Sequence, residues 1–116
     1  VTCSTSSAIE RYRGDTWEWS CRVGPVADWG PLTGTCTSQV RRNVSASTVT
    51  ATWTVTVDDA AERLVTLTIE AANTADIAPG TYVFDVQNVD GDGETHTFGA
   101  GEGEPMRLVV KGDVTR

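Results

Sequence analysis

Apolar and polar residues alternate with a period of two along most of this chain, the mark of strands that bury one face. From Thr16 to Val23, Trp17, Trp19, Cys21 and Val23 share one face, and Glu18, Ser20 and Arg22 share the other. Thr35 to Asn43 continues the pattern with Cys36, Ser38 and Val40 on one side. Thr48 to Val57 sets Trp53, Val55 and Val57 against Thr52, Thr54 and Thr56. After the polar turn Asp58 to Glu62, Arg63 to Glu70 buries Val65, Leu67 and Ile69, so these two runs predict an antiparallel hairpin. Thr81 to Val89 and Glu94 to Phe98 form a second hairpin around Asp90-Gly91-Asp92-Gly93, because Asp-Gly supplies the positive φ of a tight turn. Met106 to Lys111 closes the series.

Helical periodicity is nearly absent. Asn73 to Ile77 reads as one helical turn, with Asn73 as its cap and Pro79-Gly80 as its stop. Gly24 to Gly34 holds Pro25, Pro31 and three glycines and reads as a loop, as does Gly99 to Pro105. These elements predict an all-β fold, an antiparallel immunoglobulin-like β-sandwich of about seven to eight strands, with a closed barrel as runner-up. No linker or repeat interrupts the pattern, so residues 1–116 are expected to form a single domain.

The net charge of −7 opposes a nucleic-acid partner, because affinity for a phosphate backbone comes mainly from Lys and Arg displacing counterions. No apolar run is long enough to cross a bilayer as a helix, and the N-terminus lacks the basic start and hydrophobic stretch of a signal peptide. Three cysteines cannot all pair within one chain. If the strands on either side of the first loop form a hairpin, Cys21 and Cys36 become neighbours, either as a cross-strand disulfide or as adjacent thiols. Cys3 is left over, and reduced, buried thiols are the simplest state for all three.

Candidate chemistry is sparse. His96 is the single histidine, and no orienting partner for it is evident, so a satisfied or exposed strand histidine is expected. Asp90, Asp92 and Glu94 place carboxylates at every second position, as some calcium loops do, but the flanking helices and the twelve-residue frame are missing. Arg13-Gly14-Asp15 is explained by turn chemistry, and Asn43-Val44-Ser45 has the spacing of a glycosylation acceptor. Trp19 and Trp53 fit a core. Trp29, inside the Pro/Gly loop, is a candidate anchor for a partner or a cap on one end of the sandwich, and Trp17 is a second candidate contact. No catalytic set and no cofactor are expected, so the chain is not expected to be an enzyme.

Four segments resemble, in order, small tailed-phage virion modules akin to the N-terminal domain of siphophage upper baseplate proteins. They are Tyr12-Arg13-Gly14-Asp15-Thr16, Pro31-Leu32-Thr33-Gly34, Asn73-Thr74-Ala75-Asp76 leading to Ala78-Pro79-Gly80-Thr81-Tyr82-Val83-Phe84-Asp85, and Gly112-Asp113-Val114-Thr115-Arg116. The resemblance implies an immunoglobulin-like sandwich without catalytic residues. It further implies a bacteriophage virion structural protein of the tail, baseplate, neck or capsid decoration, assembled in the bacterial host cytoplasm. Its partners would be other virion proteins in a multi-copy symmetric assembly, with no nucleic acid or membrane. The alternative is a carbohydrate- or surface-binding module that stacks Trp29 and Trp17 on sugar rings.

Overall fold

The computed structural model describes residues 2–24, 30–100 and 104–112. Among them are nine strands and one helical turn: β1 (Ile9–Tyr12), β2 (Trp17–Arg22), β3 (Thr35–Arg41), β4 (Ala51–Asp59), β5 (Leu64–Ile69), α1 (Ala71–Thr74), β6 (Gly80–Phe84), β7 (Val86–Val89), β8 (Thr95–Phe98) and β9 (Met106–Lys111). The fold is therefore nearly all β, as the alternation predicts. Its strands follow one path, β1-β9-β6-β3-β4-β5-β2, with β7 and β8 branching from β3.

The two ends of that path, β1 and β2, are consecutive in sequence and separated only by residues 13–16. The path must therefore curl until its ends nearly meet. Two side chains span the remaining gap: the Trp17 indole N–H donates to the Tyr12 carbonyl at 2.7 Å, and Arg11 donates to the Glu18 carbonyl at 2.8 Å. The sheet is nearly closed, close to the barrel alternative.

Several expectations need correction. β1 was not anticipated, and it runs parallel to β9 from Ile9↔Leu108 to Tyr12↔Lys111, so the pairing is not purely antiparallel. The run Thr81 to Val89 is broken at Asp85 into β6 and β7. β6 pairs with β3 at Val40 and Arg41, and β7 pairs with β3 at Thr35 to Thr37. Between these ladders the Ser38 hydroxyl donates to the Asp85 carbonyl at 2.6 Å and occupies the gap. α1 starts two residues earlier than expected, with Glu70 and not Asn73 at its cap position. The β4–β5 and β7–β8 hairpins form as predicted.

β2 pairs with β5 and not with β3, which separates Cys21 from Cys36. Cys21 instead bridges to Cys3, Cα–Cα 5.0 Å, and Cys36 is free. β2 and β3 are adjacent in sequence but not in space, because β2 lies at the far edge of the path.

The core is a layer of aromatic rings flanked by aliphatics. Trp17 is fully buried, Trp53 and Phe84 are 2% exposed, and Val65, Leu67, Met106 and Leu108 surround them. Trp17 meets Trp53 at a centroid distance of 6.1 Å, Trp53 meets Phe84 at 5.6 Å, and Trp19 meets Phe84 edge-on at 5.8 Å. Such tilted and T-shaped pairs suit ring quadrupoles and stabilise beyond the area they bury. The Cys3–Cys21 bridge ties the N-terminal segment to this layer, with Cys3 N–H also bonded to the Arg22 carbonyl at 2.7 Å.

With a sequence separation of 18, the bridge restricts the unfolded chain by about 3 kcal/mol. Replacing Cys3 and Cys21 by alanine should lower the unfolding free energy by about that amount in a guanidinium titration. The same change at Cys36 should have a much smaller effect.

Candidate functional site

The β7–β8 turn brings Asp90, Glu94 and His96 together. Gly93, at φ 85°, gives the turn its positive φ, and its N–H donates to the Asp90 carbonyl at 3.0 Å while Asp90 N–H donates to the Glu94 carbonyl at 2.9 Å. One oxygen of Asp90, Oδ1, accepts the backbone N–H groups of Asp92 (2.9 Å) and Glu94 (3.0 Å). These bonds fix the carboxylate and aim its other oxygen, Oδ2, at His96 Nε2, 3.1 Å away. Glu94 Oε2 lies 4.0 Å from the same nitrogen. One donor atom from each of Asp90, Glu94 and His96 therefore falls within 4.8 Å of the other two.

The calcium-like reading of Asp90, Asp92 and Glu94 is thereby revised. Asp90 and Glu94 converge, but the third member is His96 in place of Asp92. His96 is not a strand residue without an orienting partner: Asp90 orients it. The strand register places His96 in a second group as well. β7 and β8 pair Asn88 with His96, and β3 and β7 pair Cys36 with Asn88, so the three side chains form one row across the sheet.

Asn88, 1% exposed, holds the middle of the row by donating to the carbonyls of Thr33 (3.0 Å) and Thr35 (3.3 Å), with Cys36 Sγ at 3.6 Å. Gly34 allows this close approach: a Cβ there, at φ 75°, would lie 1.9 Å from the Val89 carbonyl oxygen. Burial pushes the Cys36 thiol above its ordinary range, against the smaller opposing effects of Asn88 and the Arg63 charge.

Asn88, Asp90 and His96 open onto a cavity of about 410 Å³, whose far wall includes Arg63, Pro31 and Thr33. Arg63 is 4% exposed and takes the left-handed φ of 58°, a conformation that usually falls to glycine. Its guanidinium donates to the carbonyls of Val23 at 2.8 Å and Gly30 at 3.3 Å, which ties the β4–β5 turn to the first loop.

The other candidates resolve differently. Trp17 is buried and unavailable to a partner, and Trp29 lies outside the described residues. Arg13-Gly14-Asp15 is a structural clasp on α1. Arg13 donates twice to the Ala75 carbonyl (3.2 and 2.7 Å), Gly14 N–H donates to Thr74 Oγ1 (3.0 Å), and that hydroxyl donates to the Asp15 carbonyl (2.7 Å). Asn43 caps its own turn by accepting from Ser45.

The hydrogen bonds from the Glu94 backbone, then from His96, hold the Asp90 carboxyl below the ordinary carboxylate range. A depressed value means that the stabilisation of the turn is present in full above the unfolded carboxyl range near 4 and fades as pH falls through the lower folded value. Hydrogen exchange at the Glu94 and Asp92 amides should accordingly lose protection in acid, beyond the intrinsic pH dependence. Asp90→Asn should lessen that loss.

No family model matches the chain, and no curated protein matches it. Among solved structures it is similar to CopC from Methylosinus trichosporium OB3b, with 14% identity and a TM-score of 0.50 over 95% of this chain and 90% of that one. At this identity the likeness shows a shared β fold. It corrects the functional expectation: the fold leads to CopC and nothing leads to a bacteriophage virion protein of tail, baseplate, neck or capsid. Of the two tryptophans in the sugar-stacking alternative, Trp17 presents no surface, and Trp29 lies outside the described residues.

Proposed function

We propose that this chain is a binding module of an oxidising compartment that holds a divalent metal ion at the β7–β8 turn. The observation that carries the reading is the convergence of Asp90 Oδ2, Glu94 Oε2 and His96 Nε2, three donor atoms within reach of one ion. Two carboxylates and an imidazole suit a borderline ion such as Zn²⁺ or Cu²⁺ better than Ca²⁺, which prefers an all-oxygen shell. Three protein donors leave positions open toward the cavity, where water or a small ligand completes the sphere. Asp90 is fixed by the backbone of its own turn, so little ordering is needed when an ion arrives.

The Cys3–Cys21 disulfide supports the compartment, since such bridges persist where glutathione and thioredoxin do not reduce them. The architecture we read as an immunoglobulin-like sandwich whose layers are joined where β3 and β4 change partners: β4 pairs with β3 through Ala51 to Trp53 and with β5 from Thr54 onward.

Isothermal titration calorimetry tests this directly. Zn²⁺ or Cu²⁺ should bind one-to-one, and more tightly than Ca²⁺. His96→Ala should weaken binding at least about tenfold, or about 1.4 kcal/mol. Binding should also weaken in acid, where protons compete for the ligands. Equal affinity in the wild type and His96→Ala would remove the proposal.

A further inference from the structure

A second cavity, of about 290 Å³, lies where β3 leaves β6 and takes up β7, away from the metal-binding turn. It exists because Asp85 interrupts the strand. The Ser38 hydroxyl fills the missing backbone bond from the inside, and the Asp85 side chain is left on the outer face among Gln39, Arg41 and Gln87.

Two opposite charges meet this cavity without meeting each other. Arg41 is committed elsewhere, donating to the Ala46 carbonyl at 2.9 Å and to Gln39 Oε1 at 3.0 Å. Among the described residues no side chain bonds the Asp85 carboxylate, and Arg41 forms no ion pair with it. Half-burial pushes the Asp85 carboxyl above the ordinary range, and the Arg41 charge only partly offsets this. A partly desolvated carboxylate without a donor is an unfavourable arrangement that a bound cation would relieve. A nearby guanidinium held apart from it favours an anion on the same ligand. Val83 and Pro105 add an apolar wall.

We infer that this cavity binds a small zwitterion, an α-amino acid with an apolar side chain, its ammonium on Asp85 and its carboxylate on Arg41. The volume lies just under the usual range for ligand pockets, which fits a molecule of that size. The Gln39 and Gln87 amides supply further polar contacts, and the side chain of the ligand lies against Val83 and Pro105. This site shares no residue with the metal-binding turn, so either can fail without the other.

The test is a titration of the full chain with L-valine, followed by nuclear magnetic resonance. Saturable shifts are expected at the amides of Thr37, Gln39, Asp85 and Gln87. Isobutylamine and isovalerate, which each carry one of the two charges, should leave those resonances in place at the same concentrations. Asp85→Asn should abolish the response. The side chain makes no internal bond, so its fold should persist, as judged by unchanged amide positions elsewhere. Arg41→Gln provides a second variant with the same expected loss. Absence of saturable shifts in the wild type would overturn the inference, and so would a response to either single-charge analogue as strong as that to L-valine.

Discussion

One indole holds the sheet in its curled form. Trp17 is the first residue of β2, it is fully buried, and its N–H reaches back to the Tyr12 carbonyl at the end of β1. The sheet path begins at β1 and ends at β2, so this contact joins its two extremities. The aromatic layer of Trp17, Trp53 and Phe84 then fills the space that the curl encloses. The interior is held by dispersion and by removal of apolar surface from water more than by polar pairing. The Trp53 indole N–H is buried with no partner among the described residues, an unfavourable term that the packing around it must exceed.

Alternation alone located most strands, because a half-buried sheet imposes a strict period of two. The β4–β5 hairpin was legible for that reason, with Val65, Leu67 and Ile69 buried as their spacing requires. β1 was not, since Ile9–Tyr12 contains one deeply buried side chain and too few residues to show a period. The break at Asp85 was also hidden: Tyr82 and Phe84 are buried on one side of it and Val86 and Asn88 on the other, so alternation passes through the interruption without a change of phase. Cysteine pairing is not legible from spacing, because order in the sequence does not give order in the sheet.

The turn site was half legible. Asp90 and Glu94 stood out through their spacing, and the same two-residue step continues to His96, which brings Glu94 and His96 to one side of the returning segment. Asp92 shares that step but lies in the turn itself, where its direction is set by the local backbone. Asn88 gave no signal, because its part is to support the neighbouring strand and a buried amide in an alternating strand looks like any polar residue. Arg63 was equally silent: no local pattern marks a left-handed arginine at the start of a strand.

The partner changes along β3 and β4 have a mechanical consequence. Because individual strands belong to more than one ladder, a shear of one ladder past the next would have to tear hydrogen bonds along a continuous backbone. Domains built from separable layers can breathe by sliding. This one is stitched through its own strands, so excursions from the resting shape should begin at loops and at the outer strand β8, well before the central ladders part.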